Sequence, residues 1–368
     1  MDFLGFPDSE SERHAHFYVL ASSFAAAIYM FTIPRRVKAG RKRFLLCSPV
    51  LLLNIMQPYI FFWTVGRHYC NFIPLYAAFC TWWTAFKVMA FGIGRGPLCQ
   101  FSAFHKFAVV MLLPILPHGD TNHGVKDERS GSSWSSPTYL EMFAKFCGLG
   151  LCTYGISQLS HDGFPVLYNV FLSLIMYLHI CVQYTGSNLA TSKVLQVPLS
   201  DGMNQPYFST SLSNFWGRRW NLVASSSLRH VVYDPIREGR LVPKGHPEEK
   251  PGGGKEVSRK VLGSLMAFLV SGIMHEYILW LATGFWSGQM LLFFVVHGVA
   301  VAAERVAKVA WARHGLPAIP CAVSIPMTIG FLFGTAELLF YPPIFSANWA
   351  EHGVADLRRQ FRSLGLSV

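Results

Sequence analysis

Residues 260–284 read KVLGSLMAFLVSGIMHEYILWLATG, an apolar run with His275 and Glu276 side by side well inside it. About 20 apolar residues in helical form cross a bilayer core of ~30 Å, so this run is long enough to span. At 1.5 Å per residue, His275 lies about 22 Å along the helix from Lys260, deeper than the bilayer centre for a chain entering at Lys260. A charge at that depth costs at least ~2.5 kcal/mol on insertion scales, so the pair must face protein or a water-filled cavity. Ser264, Phe268, Ser271 and His275 recur at spacings of three and four and give one polar-edged face. Gly272 beside that face permits close approach of another helix.

Seven further runs have the same character, roughly 16–34, 44–65, 72–92, 139–160, 164–186, 287–309 and 320–341. Together they predict an all-α, polytopic membrane bundle of about eight transmembrane helices. Composition agrees. Charged residues make up 14% of the 368, against about 25% in soluble domains, and mean hydropathy is +0.32. Global disorder is excluded, because 30 Phe, 14 Tyr and 10 Trp bury too much surface. A ninth apolar stretch, 98–117, is broken by His105 and Lys106 and ends in Pro114 and Pro117. It can span, lie at the interface or re-enter.

Loop charge orients the bundle. The first loop carries Arg35, Arg36, Lys38, Arg41, Lys42 and Arg43 with no acid, which places it in the cytosol and the acidic N-terminus in the lumen. That N-terminus lacks the basic region of a cleaved signal peptide, so the first span is expected to remain as an anchor. Eight spans put residues 189–259, with Arg218, Arg219, Arg229, Arg237 and Arg240, in the cytosol as well. Arg358, Arg359 and Arg362 then fall on the lumenal side, against the rule. The whole chain, 1–368, reads as a single domain, with 189–259 as its cytosolic or interfacial segment. The net charge of +11 sits in short stretches between spans. That suits topology and an anionic cytosolic ligand rather than nucleic acid. Most of the eight cysteines lie in apolar runs without a C-x-x-C, so they read as small buried hydrophobes rather than metal ligands or disulfides.

Three features carry chemistry. A neutral imidazole at His275 can act as general base on a hydroxyl that would not attack a thioester unaided; the plain alternative is a His and Glu bonded to neighbouring helices. In the next span His297 and Glu304 share a face, and Lys87 sits in the third span. They read as polar support or as partners for one another and for His275–Glu276. The cytosolic segment holds N-F-W-G-R-R-W-N at 214–221. Arg218 and Arg219 can fork onto phosphate, Trp216 and Trp220 can stack on a base, and the Asn221 amide can polarise a carbonyl. Coenzyme A offers all these groups. The same composition also suits an interfacial amphipathic helix.

These residues resemble the plant-type wax synthases, the long-chain-alcohol O-fatty-acyltransferases of the membrane-bound O-acyltransferase superfamily. The likeness runs through I-P-R-R-V-K-A-G at 33–40, T-W-W-T-A-F-K at 81–87 and G-R-G-P-L at 94–98. It continues through S-x-S-N-F-W-G-R-R-W-N at 211–221, L-R-x-x-V-Y-x-P at 228–235, S-G-I-M-H-E at 271–276 and F-F-V-V-H-G-x-x-x-x-x-E at 293–304. The resemblance implies a helical bundle around an intramembrane tunnel in the endoplasmic reticulum. By it, His275 is the catalytic histidine, with Asn221 and Glu276 beside it, and Trp216, Arg218, Arg219 and Trp220 near the acyl-CoA. Arg218 and Arg219 stand where related sterol and diacylglycerol acyltransferases often have other residues, and Tyr277 replaces a frequent Leu.

The expected reaction is transfer of a fatty acyl group from acyl-CoA to a long-chain alcohol, giving a wax ester, with no metal and no cofactor beyond acyl-CoA as co-substrate. A sterol or diacylglycerol acceptor, or an acetyl donor, is the nearest alternative. A transporter with a buried proton relay through Lys87, His275, Glu276, His297 and Glu304 is a different class. It predicts internal repeats that the sequence lacks, and it leaves the Trp/Arg segment unexplained.

Overall fold

The apolar runs fold as helices, because a spanning segment must satisfy its own backbone where no water reaches. The computed structural model describes residues 10–65, 78–117, 138–243, 253–346, 348–363 and 365–366. In chain order the helices begin with α1 (Glu10–Thr32) and α2 (Arg41–Val65). A π-helical turn, Ala78–Thr84, leads into α3 (Ala85–Gly92), followed by α4 (Phe104–Leu112), α5 (Tyr139–Ser157) and α6 (Pro165–Leu195). Short helices α7 (Leu212–Arg218) and α8 (Leu222–Leu228) come next, then a second π turn, Arg229–Tyr233, and α9 (Asp234–Glu238). The long pair α10 (Gly253–Thr283) and α11 (Gln289–Arg313) precedes α12 (Cys321–Thr335), a third π turn, Ala336–Phe340, α13 (Tyr341–Ser346) and α14 (Trp349–Ser363). Two short strands pair antiparallel, with Leu116 opposite Ser200 and Pro117 opposite Leu199.

Among the described residues, six helices are long and apolar enough to cross a membrane. Of the other two expected spans, 72–92 falls partly on residues outside those described, and its remainder is the π turn and α3. The run at 139–160 forms α5, in which Glu141 and Lys145 dilute the apolar composition. Glu141 is spent on the helix start, in a capping box with Thr138, and Lys145 donates to Thr185 of α6 at 2.9 Å. The ninth stretch is settled. At about 14 Å, α4 is too short to span, and it is packed inside the protein, with Phe107 and Val110 wholly buried. Lys87 of α3 holds its end, Nζ donating to Val110 O at 2.7 Å and Leu113 O at 2.6 Å. Lys87 is therefore bound to helix-end carbonyls rather than to His275–Glu276 or His297–Glu304.

Large apolar side chains such as Leu20, Leu52, Leu151, Val306 and Met327 point outward, as a lipid-facing surface requires. All seven described cysteines are free; Cys47, Cys80 and Cys181 are buried, whereas Cys99, Cys147 and Cys321 are exposed.

The two segments assigned to the cytosol by charge meet the 92–96 stretch at one end of the bundle. Gly40 N donates to Gly92 O at 3.1 Å, and Arg43 lies 4.3 Å over the Phe91 ring. Arg95 reaches across to Glu238 with two bonds, 2.8 and 3.2 Å, and to Leu241 O at 2.9 Å. Gly94, at φ +79°, approaches Ala39 so closely that a Cβ would lie 2.7 Å from the alanine methyl. The Gly92–Gly96 stretch is thus a turn locking basic segments together.

Candidate active site

The crossing of α10 and α11 builds the site. A Cβ at Gly272 would stand 2.9 Å from the Leu291 side chain and 3.1 Å from its backbone, and one at Gly298 would stand 2.9 Å from Phe268. Glycines at the contact therefore let the two helices approach closely. This places His275 of α10 between Phe294 of α11, at 4.2 Å between ring centroids, and Trp82 of the first π turn, at 4.9 Å and nearly perpendicular. The imidazole is half-buried.

Its hydrogen bond fixes its chemistry. Nδ1 lies 2.7 Å from Ser271 O. A carbonyl oxygen only accepts, so Nδ1 carries the proton and Nε2 keeps its lone pair. The imidazole at His297, one helix away, is set the other way. Trp216 Nε1, which only donates, lies 3.1 Å from His297 Nδ1. The proton is then on Nε2, which donates to Thr335 Oγ1 at 2.9 Å. Thr335 in turn donates to Phe331 O at 2.8 Å. Both nitrogens of the wholly buried His297 are engaged, while Nε2 of His275 offers a base.

Glu276 follows His275 in sequence but leaves the helix about 100° away. It is fully buried, and Oε1 accepts from Ser287 Oγ at 2.9 Å and from Gly288 N. It ties down the loop entering α11. Glu304 anchors the Trp/Arg motif: Oε2 accepts from Leu212 N at 2.6 Å, and Oε1 from Ser213 Oγ and from Lys308 Nζ at 2.7 Å. A carboxylate at the exposed N–H groups that start α7 is the favoured arrangement. His297 and Glu304 thus share a helix face as expected, but each serves the motif rather than the other.

Within the motif the side chains part company. Trp216 packs inward against Phe268, Phe294 and His297, joining the motif to the wall of the His275 site. Trp220 stacks on Phe215 at 5.4 Å and on Tyr177. Arg219 bonds Asn214 Oδ1 at 2.8 Å, Gln205 O at 3.0 Å and Asn204 O at 3.2 Å. It is a clamp for the loop before α7, whereas Arg218 beside it is exposed. Asn221 caps α8 in a left-handed conformation, φ +41° and ψ +64°, with Oδ1 accepting from Ala224 N at 3.1 Å. The α8 residues Leu222, Val223 and Ala224 share one apolar cluster with Trp82, Met274 and Ile278, so the motif end and the His275 wall are packed together.

The sequence pattern of the Membrane bound O-acyl transferase family matches residues 199–296, which hold both the Trp/Arg motif and His275. The Long-chain-alcohol O-fatty-acyltransferase of Simmondsia chinensis is 32% identical over 95% of this chain and 93% of its own length. The chain belongs to the membrane-bound O-acyltransferase family. Two Arabidopsis thaliana relatives are similar over nearly the same extent. They are the Probable long-chain-alcohol O-fatty-acyltransferase 7, 28% identical over 88% of each chain, and the Acyl-CoA--sterol O-acyltransferase 1, 29% identical over 89% of this chain and 90% of its own length. This membrane-bound O-acyltransferase is a multi-pass helical enzyme, as the apolar runs indicate. Thr335 of the acyltransferase escaped the sequence reading, and Trp82 and Phe294 entered it only within the 81–87 and 293–304 motifs, with no role. Each is an ordinary apolar-span residue in sequence, and no spacing rule links it to a partner tens to hundreds of positions away.

Proposed function

We propose that the protein transfers a fatty acyl group from acyl-CoA to the hydroxyl of a long-chain alcohol, releasing a wax ester and free CoA. The observation carrying this reading is the His275 imidazole, held with Nε2 as a lone-pair acceptor inside an apolar bundle, with Phe294 packed between it and Trp216 of the Trp/Arg motif. Nε2 takes the hydroxyl proton as the alcohol oxygen bonds to the thioester carbonyl carbon. The carbonyl oxygen gains charge and is met by the Asn221 amide. Collapse breaks the C–S bond, and the leaving thiolate takes the proton from His275. General-base catalysis of this kind contributes typically ~10²–10⁴-fold. The rest comes from holding both substrates together.

The basic end supports a cytosolic acyl-CoA. On the side that loop charge assigns to the cytosol, Arg35, Arg36, Arg41, Lys42, Arg43, Arg218, Arg229, Arg237 and Arg240 outnumber Asp234 and Glu238, the acids paired with the last three, so the adenosine phosphates of CoA find positive potential there. The apolar acceptor arrives laterally through lipid, and the enzyme's membrane is that of the endoplasmic reticulum. The named relatives support a long-chain alcohol as acceptor. The sterol acyltransferase among them makes a sterol the competing substrate. The test is an ester-forming assay on microsomes from cells lacking neutral-lipid acyltransferases, with labelled acyl-CoA and a panel of fatty alcohols, sterols and diacylglycerols. A labelled wax ester is expected. Ester formation with sterol or diacylglycerol alone overturns the acceptor assignment, and no ester with any acceptor overturns the reaction.

A further inference from the structure

Asn221 is held by more than its role as a helix cap. Its backbone N donates to Met203 Sδ at 3.1 Å, and Leu222 N donates to Gly202 O at 2.8 Å, so the 202–203 strap fixes the main chain on either side of the side chain. The side-chain orientation follows from chemistry. Ala224 N can only donate, so the amide atom facing it at 3.1 Å is the oxygen. Tyr184 Oη, from α6, lies 2.6 Å from the same oxygen and must donate to it. An amide oxygen has two lone pairs, and both are now taken. The chemistry left to Asn221 is the Nδ2 group, two N–H donors without a partner among the described residues.

Tyr184 itself is fixed. Its side chain is 2% exposed, and its ring packs against Trp83. It also lies directly over Gly202, where a Cβ would fall 1.9 Å from the ring carbon Cδ2. Glycine at 202 is what allows the ring into this position.

We infer that Tyr184 is a positioning residue that, together with Ala224 N, saturates Asn221 Oδ1 and presents the Asn221 amide as a donor to the thioester carbonyl oxygen. This rests on the proposed meeting of Asn221 with the acyl-CoA carbonyl. It deepens that reading by fixing the direction of the hydrogen bond: Asn221 donates a hydrogen bond to an acceptor and takes no proton from the alcohol. The bond that forms is alcohol oxygen to carbonyl carbon, and the bond that breaks is carbon to sulfur. The hydroxyl proton passes to His275 Nε2 and on to the thiolate, while the Asn221 N–H donates throughout without transfer.

Four variants test this in purified enzyme, with acyl-CoA and alcohol varied separately. N221D keeps an acceptor for Ala224 N and Tyr184, and Asp is a good cap that tolerates the left-handed region. It replaces the NH₂ with oxygen, so it should stay folded and lose about 10²–10³-fold in kcat, the cost of one oxyanion donor. Y184F should lose about 2- to 10-fold in kcat, the worth of one hydrogen bond, with little change in either KM. In the N221A background, Y184F should cost nothing further, because it acts through the missing amide. The inference is overturned if Y184F keeps wild-type kcat, or if its loss multiplies in full with that of N221A. It is equally overturned if N221D is as active as wild type while N221A is not, since an acceptor would then suffice. Wild-type rates in N221A itself would instead remove Asn221 from the reaction and defeat the underlying assignment.

Discussion

Two buried-region histidines on adjacent helices make opposite use of their nitrogens, and replacing each by alanine should produce opposite phenotypes. H297A removes an imidazole that is 0% exposed and leaves Trp216 Nε1 without its acceptor. Thr335 keeps its carbonyl partners. An orphaned buried N–H plus a ring-sized cavity amounts to about 3–5 kcal/mol of stability. H275A removes a half-buried ring whose lost bond is to Ser271 O, a carbonyl inside α10 with its own helical partner. The stability cost is about 1 kcal/mol. The rate cost should be about 10²–10⁴-fold, or roughly 3–5 kcal/mol on the barrier. Both variants are purified in detergent and heated with a thiol-reactive dye. Cys47, Cys80 and Cys181 are buried and react only on unfolding. Initial rates with labelled acyl-CoA and a fatty alcohol are then divided by the folded fraction. H275A should unfold near the wild-type temperature with almost no activity, and H297A should unfold early while its folded fraction keeps most of its rate. H275A within threefold of wild type, or H297A fully stable and the more damaged catalyst, would show the base to be misassigned.

The remaining predictions concern the packing and the basic end. G272A forces a methyl to 3.1 Å from the Leu291 backbone, so it should separate α10 from α11, lower the unfolding temperature and reduce kcat, whereas G330A, with open space at that position, should not. R218A should raise KM for acyl-CoA, whereas R219A, which releases the 204–205 loop, should lower the unfolding temperature first. Burial pushes the Glu238 carboxyl up, but the Arg95 and Arg237 guanidiniums bonded to it bring it below the usual carboxylate range. Its contribution to stability is therefore full above about pH 4.3 and is lost as pH falls through the lower folded value. Unfolding temperatures measured from pH 6 to pH 3 should fall less steeply in E238Q than in wild type.

The sequence by itself determined the class of structure and the address of the chemistry. Runs such as 164–186 and 261–282 are helices because a bilayer admits little else, and that follows from composition. His275 was legible because an ionisable pair at membrane depth is costly and so demands a purpose. The Trp/Arg motif was legible because its residue types are rare together. What each polar group does was decided only by the tertiary structure. Arg219 and Arg218 are neighbours in sequence, yet one is a loop clamp and the other is exposed. Glu276 sits beside His275 in the chain and is turned to the start of α11. His275 and His297 look alike on paper and differ in which nitrogen holds the proton. Such roles depend on partners far along the chain, Tyr184 with Asn221 or Trp216 with His297, and a hydrogen bond has direction only once both ends are in place.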